Sequence, residues 1–289
     1  TLAVSSTQDA GRLINVSCRA LTGSGTSALV AGFAIGGGDP SSTEPVLIRA
    51  SGPALAQFGV TGFLPDPELQ LFSTASGSLL LASNGGWAGS AAVSNDAVNE
   101  GAFAWPDATS LDSALVQMLA PGPYTADISG ASGDSGTALA EVYDATPAGT
   151  FGPSTPHLVN VSARAAVGTG GNQLVAGFVI GGSTSKTVLI RASGPALDQF
   201  GVTGTISDPD LQLYSLGSAG NTLVASNDDW GGDPEITAAA ASVGAFAWTD
   251  PASADCALLV TLAPGSYTAN VMGINGATGV ALVEVYEVP

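Results

Sequence analysis

The densest group of potential ligands in the chain is Asn227-Asp-Asp-Trp-Gly-Gly-Asp-Pro-Glu235, where four carboxylates and one amide fall within nine residues. Oxygen donors at this density suit calcium, a hard cation that takes about six to eight of them. The spacing differs from that of an EF-hand loop, and a merely solvated acidic loop has the same composition. Asp228, Asp229 and Asp233 are therefore the residues expected to hold calcium if an ion binds. The site is expected in this half of the chain only, because the equivalent Asn84-Gly-Gly-Trp-Ala-Gly-Ser90 carries no acid. No other cofactor is expected. Catalytic sets are sparser still. One histidine, His157, and two cysteines leave little material for a histidine-based triad or a zinc site. No Gly-x-Ser-x-Gly elbow with a partner histidine is present, and Gly36-Gly-Gly38 is followed by neither a long helix nor a Lys-Ser/Thr pair. The chain reads as a non-enzyme.

Two further sets of side chains could do work. Trp87 and Trp230 sit in the two matched loops, with Trp105 and Trp248 further along. Exposed indoles could stack on sugar rings and make the chain a carbohydrate-binding or adhesion module with a polysaccharide partner. Aromatic residues are only 6% of the chain and all four tryptophans recur at matched positions, which favours roles in the core or as loop anchors. Cys18 aligns with Ala163 and Cys256 with Ser113, so neither thiol has a counterpart in the other half. A Cys18–Cys256 disulfide would have to join the two halves or two molecules; two buried free thiols are the alternative.

The elements that position these residues come from a tandem duplication. Leu13-Ile-Asn-Val-Ser-Cys-Arg-Ala20 returns as Leu158-Val-Asn-Val-Ser-Ala-Arg-Ala165, and Leu29-Val-Ala-Gly-Phe-Ala-Ile-Gly-Gly37 as Leu174-Val-Ala-Gly-Phe-Val-Ile-Gly-Gly182. The longest match runs from Val46-Leu-Ile-Arg-Ala-Ser-Gly-Pro-Ala-Leu55 to Val188-Leu-Ile-Arg-Ala-Ser-Gly-Pro-Ala-Leu197. A period this long exceeds the roughly 20 to 50 residues of a solenoid repeat, so each copy is expected to be a domain. Short apolar segments alternating with glycine-rich turns predict strands near 12–20, 28–36, 45–50, 68–73, 78–83, 101–105, 112–119, 123–129 and 136–143, with equivalents in the second copy. Short helical signals lie at 53–58, 195–200, 91–98 and 236–242. The expected fold is all-β, as two tandem homologous β-sandwich domains of jelly-roll or immunoglobulin-like type. Residues 1–11 form an N-terminal extension, 12–145 the first domain, 146–156 a semi-stiff linker and 157–289 the second domain. Arg49 and Arg191, at the ends of apolar strands, are expected to be buried against carboxylates of their own half. The Asn15-Val-Ser17 and Asn160-Val-Ser162 sequons fall within strands and read as polar strand faces.

The repeated Leu-x-Asn-Val-Ser-x-Arg-Ala and Val-Leu-Ile-Arg-Ala-Ser-Gly-Pro-Ala-Leu motifs, closing on Ala-Pro-Gly-x-Tyr-Thr-Ala and Glu-Val-Tyr, resemble a repeated β-sandwich module of large secreted and cell-surface bacterial proteins. The final third of each copy is similar to pre-peptidase C-terminal type jelly-roll domains. The resemblance implies a surface location and a structural or binding role, and carries no catalytic residue.

Charge narrows the partners. Only 10% of residues are charged, and 24 acids against 6 bases give a net −18. Such a chain repels a phosphate backbone, which excludes nucleic acid as a partner. No apolar run approaches the roughly 18 to 20 residues of a membrane-spanning helix, so no membrane span is expected. Thr1-Leu-Ala-Val-Ser-Ser-Thr7 is strand-prone and is expected to donate a strand, through Leu2 and Val4, to the sheet edge of another copy. The leading expectation is thus a secreted structural subunit whose partner is itself, assembled head-to-tail into an extracellular filament or surface layer, with Cys18 and Cys256 stapling subunits. The alternative is a carbohydrate-binding or adhesion module of a cell-surface protein.

Overall fold

The computed structural model describes residues 9–23, 28–218 and 220–289. Leu2 and Val4, with the rest of the expected donor strand, lie outside the described residues. The first copy contains β1 (Arg12–Thr22), β2 (Leu29–Gly36), β3 (Glu44–Ser51), β4 (Pro67–Ser73), β5 (Leu79–Asn84), α1 (Ala91–Asn99), β6 (Ser113–Leu119), β7 (Gly122–Gly130) and β8 (Gly136–Asp144). The second repeats the order as β9 (His157–Val167), β10 (Leu174–Gly181), β11 (Lys186–Ser193), β12 (Pro209–Gly217), β13 (Gly220–Asn227), α2 (Pro234–Ser242), β14 (Cys256–Leu262), β15 (Gly265–Gly273) and β16 (Gly279–Glu287). The fold is nearly all β, as expected. Alternation shows why: in β7, Tyr124, Ala126 and Ile128 are buried while the residues between them are half-exposed.

One expected strand is absent. Residues 101–105 run as irregular chain. Their carbonyls find side-chain donors in place of a ladder: Phe103 O accepts from Arg49 Nη2 at 2.9 Å and Ala104 O from Gln57 Nε2 at 3.3 Å. Satisfied this way, the segment needs no neighbouring strand.

Pairing is antiparallel throughout the named strands and forms two runs, β13-β12-β15-β10-β1-β8-β3-β6 and β5-β4-β7-β2-β9-β16-β11-β14, joined where Leu13 pairs with Leu158. The runs pack against each other, β1 on β2, β3 on β4 and β7 on β8 in the first half, with β11 on β12 and β15 on β16 in the second. Each run crosses from one copy to the other. β1 pairs with β10, Val16 opposite Phe178, and β9 pairs with β2, Val161 opposite Phe33. These two ladders exchange under the repeat relation, so the halves are related by a pseudo-two-fold passing through the homologous Leu13 and Leu158.

The repeated motifs build this seam. A Cβ on Gly32 would lie 2.4 Å from Ser162 Oγ, and one on Gly177 would lie 2.6 Å from Ser17 Oγ. Val-Ala-Gly-Phe of one copy therefore receives Asn-Val-Ser of the other. Register shifts at Leu13/Asn15 and Ala34/Ile35 mark matching β-bulges. The asparagines of the two sequons close the ladder there, Asn15 Nδ2 donating to Val142 O at 3.3 Å and Asn160 Nδ2 to Val285 O at 3.2 Å. One hydrophobic cluster runs through the seam, with Leu13, Leu158, Phe33 and Phe178 all buried. Each buried phenylalanine contributes about 1.5–3 kcal/mol on transfer grounds. The 146–156 segment is packed as well: the Arg12 guanidinium lies 3.7 Å from the Phe151 ring centroid, and Asp39 N donates to Ser154 O.

Candidate functional site

β3 and β11 are buried on both faces. Val46, Ile48 and Ala50 face the main core, while Leu47 and Arg49 face a smaller cluster beneath α1 that also holds Trp87, Val93, Ala97, Trp105 and Tyr143. The second half repeats this with Leu189 and Arg191 beneath α2. Caps set both helices in place. Ser90 accepts from Val93 N, and Asp233 accepts from Glu235 N at 2.7 Å with Pro234 at the first position.

The shared Ser-Gly-Pro-Ala turn is held by an aspartate from the far side. Buried Asp112 accepts from Gly52 N at 2.7 Å, Ala54 N at 3.1 Å and Ser110 Oγ at 2.7 Å, and Asp255 does the same for Gly194, Ala196 and Ser253. Pro53 supplies no N–H, and a Cβ on Gly52 would lie 2.1 Å from Leu64 O.

Arg49 and Arg191 meet the expectation of buried, carboxylate-paired guanidinium groups, each 1% exposed. Arg49 Nε lies 3.6 Å from Glu141 Oε2, and Arg191 Nε 3.6 Å from Glu284 Oε2. Tyr143 and Tyr286 donate their hydroxyls to the other oxygen of each glutamate at 2.7 and 2.6 Å. Burial pushes the carboxyls of Glu141 and Glu284 up, against the opposing pull of the arginines. Each guanidinium also lies over two rings, Arg49 at 4.5 Å from Phe103 and 4.3 Å from Trp105, Arg191 at 4.4 Å from Phe246 and 4.3 Å from Trp248. Beside each arginine is a cavity, about 90 Å³ in the first half and about 160 Å³ in the second. Each cavity thus lies against a buried arginine that is covered by two aromatic rings. The repeated arginine and tryptophan marked these clusters in the sequence; nothing in it marked the cavities.

The tryptophans do not form a platform. Trp87, Trp105 and Trp230 are buried and Trp248 half-buried, in edge-to-face pairs 5.4 Å apart, their indole N–H groups bonded to Ser110, Ser51, Ser253 and Ser193. Stacking on a sugar needs an open ring face, and here the faces are occupied by each other and by arginine.

The acidic loop is likewise committed. Asp233 caps α2, Asn227 Oδ1 accepts from Ala257 N at 2.9 Å, and Asn227 Nδ2 donates to Asp229 O at 2.8 Å. Asp228 and Asp229 point into solvent, and no cluster of three metal-ligating side chains forms among the described residues. The expected staple fails on the same ground of placement. Cys18 and Cys256 are free thiols, 2% and 0% exposed. Burial pushes the Cys18 thiol up to about 12, and burial with nearby Asp210, Asp255 and Asp228 raises Cys256 further from thiolate formation. A thiol enclosed in the core of its own chain does not reach one in another copy.

The outer edges of the sheet, in contrast, are open. Among the described residues β5 pairs only with β4, and β13 only with β12. Leu79, Leu80 and Leu81 of β5 are 64%, 49% and 43% exposed, and Leu223 and Val224 of β13 are 52% and 45% exposed. Leu79 and Leu80 point to opposite faces of β5, while the register shifts at Leu71/Phe72 and Leu213/Tyr214 leave Leu81 and Val224 as bulge residues. Neither strand contains a charge or a proline, and each carries a bulge within its exposed apolar stretch.

No known protein family matches the sequence, and no curated protein does. Among solved structures, a chain of Sulfolobus turreted icosahedral virus is 14% identical over 97% of this chain and 60% of its own, with a TM-score of 0.20. A DUF4785 family protein from Legionella pneumophila is 9% identical over 96% and 84%, with a TM-score of 0.21. This chain spans about three fifths of the viral chain. Similarity at this level transfers neither fold nor role.

Proposed function

We propose that the chain is an extracellular structural subunit, built of two fused sandwich domains (12–145 and 157–289), that joins copies of itself end to end through β5 and β13. One observation carries this reading: the edges at β5 and β13 expose Leu79, Leu80 and Leu81, and Leu223 and Val224, and carry no charge, in a chain of net −18. The chain already uses such a contact internally, where β1 meets β10 and β2 meets β9. Continuing either run with the edge of another copy extends the same construction. The two ends are equivalent under the pseudo-two-fold, so an end that accepts one neighbour leaves an equivalent end free for the next. Contacts of that kind generate open chains.

The acidic surface sets the conditions. Copies of a −18 chain repel one another, and that repulsion has a range of about 10 Å at 0.1 M salt and about 3 Å at 1 M. Association is therefore expected to rise with ionic strength, opposite to assembly through charge pairing. Light scattering and negative-stain microscopy across a salt series test this. Leu80→Lys with Val224→Lys should hold the protein monomeric, and deletion of Thr1 to Gln8 should leave association intact. A wild-type protein that stays monomeric at high protein and salt concentration would overturn the reading, and loss of association only on the deletion would return it to strand donation.

A further inference from the structure

The seam is made of contacts that a first half can make with the second half of any copy. Val-Ala-Gly-Phe of one half receives Asn-Val-Ser of the other twice, with Phe33 opposite Val161 and Val16 opposite Phe178. Neither ladder depends on the halves belonging to one chain. What ties them together is the 146–156 segment, and its contacts are few. Pro147, Ala148, Gly149 and Thr150 are exposed in a turn closed by Thr150 N donating to Pro147 O, with Gly149 at φ 78°. Among the described residues, no side chain of the segment belongs to a hydrophobic cluster. Releasing it gives up chiefly the contacts of Phe151 with Arg12 and His157 and the Asp39–Ser154 hydrogen bond, while the seam can be remade unchanged elsewhere.

One buried hydrogen bond decides which halves pair. Leu13 N of the first half donates to Glu287 Oε1 of the second at 2.5 Å. The first half's counterpart of Glu287 is Asp144, one methylene shorter and already accepting from Thr146 N at 2.9 Å beside Arg12. A first half set against another first half would lose the Glu287 acceptor and leave Leu13 N buried and unmet, which is costly. First therefore pairs with second. Two chains that trade halves reciprocally close into a dimer with no seam left open.

We propose that the seam is also an interaction surface for a second copy of the chain, the first half of each seating on the second half of the other with the 146–156 segments running between them. This rests on the division into 12–145 and 157–289 proposed above. A short linker holds its own half at an effective concentration on the order of 1 mM, so the closed monomer prevails at micromolar concentration. Exchange appears when something weighs against the seam within one chain.

Complementary variants supply that weight. Every chain carries Leu80→Lys and Val224→Lys, which silences the outer edges. One chain also carries Gly32→Val, whose side chain meets Ser162 Oγ, and the other carries Ser162→Gly. Only between the two chains can the valine half meet the glycine half, while their unaltered halves form a native seam. The two are unfolded together in urea and refolded at about 0.1 mM, an order below that effective concentration. Size exclusion with light scattering and native mass spectrometry should then find a dimer holding one of each chain. Either variant refolded alone, and a single chain carrying both changes, should give at least about tenfold less dimer. The pair Gly177→Val and Ser17→Gly should repeat the result at the other ladder. Should Gly32→Val not fold alone, its recovery in the mixture is the same result. A mixture with no more dimer than its components, or one in which the Gly32→Val chain does not recover, would overturn the proposal. With the edges silenced, that failure leaves association through β5 and β13 untouched.

Discussion

Glu44 makes the protein less stable as the pH rises, and replacing it with glutamine should remove that dependence. Glu44 opens β3, is fully buried, and accepts from Thr146 Oγ1 at 2.6 Å. Its neighbour Asp144 is also buried, with Arg12 Nε 3.7 Å away. The equivalent position in the second half is Lys186, whose Nζ lies 3.1 Å from Glu287 Oε2. Where the second half sets a cation against a carboxylate, the first sets two carboxyls together. Burial first, then the hydrogen bond and charge of Asp144, lift Glu44 to about 9 from its ordinary 4.5. The folded protein thus holds a proton that the unfolded chain releases near 4.5. Stability from this group is full below that value and is lost as the pH rises through about 9. The slope cannot exceed about 1.36 kcal/mol per pH unit for one proton, so three units within this window remove at most about 4 kcal/mol. Glu100, lifted to about 7 by burial and by Asp144 and Asp96, acts in the same direction, so the wild-type curve falls more steeply than Glu44 alone requires. Glu44→Gln keeps an acceptor for Thr146 and supplies a permanent donor toward Asp144. Urea unfolding of both proteins from about pH 5.5 to 8.5 measures the difference. The gap in stability should widen steadily in favour of the variant toward high pH. Parallel curves would show that Glu44 is ionised in the folded state and refute the reasoning.

Two other outcomes follow from the packing. Gly32→Val places side-chain atoms where Ser162 Oγ now sits and should cost about 1–3 kcal/mol in denaturant unfolding, most of it recovered by adding Ser162→Gly; an additive double variant would mean that the seam is not made as described. Cys18 and Cys256 should resist a thiol reagent in the native protein, react together once it is unfolded, and leave a monomer on non-reducing electrophoresis, whereas fast labelling of either thiol in native protein would contradict their burial.

Strand faces were legible in the sequence because alternation reports which side chains are buried, as in Tyr124, Ala126 and Ile128. Edges were not, because periodicity does not say which strand lies alongside. Asn15-Val-Ser17 therefore read as a polar strand face, when Ser17 fills the space left by Gly177 across the seam and Asn15 closes a bulge. The two arginines were legible for a different reason. A guanidinium at the end of an apolar strand must find an acid of its own half, and Arg49 with Glu141 and Arg191 with Glu284 do so. Residues 101–105 failed because their composition suits a strand while their carbonyls bond to Arg49 and Gln57. In the acidic loop, composition counts carboxylates without showing that Asp233 is held by the helix it caps. The cavity beneath α2 left no trace in the sequence, since it depends on how Ile236, Ala240 and Trp248 pack rather than on which residues they are.

The seam also explains how two such similar halves came to differ where they do. Each copy carries both parts of it, Asn-Val-Ser and Val-Ala-Gly-Phe, and a second copy docked through the two-fold satisfies both at once, covering β1 and β2 together. Those strands are the ones whose exposure would otherwise invite random pairing. Covalent fusion fixes that partner at a high effective concentration, so residues flanking the dyad no longer have to suit both sides. Part of the divergence falls there: Arg12, Glu44 and Asp144 in the first half correspond to His157, Lys186 and Glu287 in the second. The Gly32–Ser162 and Gly177–Ser17 contacts, made at the ladder itself, are identical. Geometry is kept where backbones meet, and charge varies in the buried and half-buried groups beside the dyad, Glu44 and Asp144 in one half against Lys186 and Glu287 in the other.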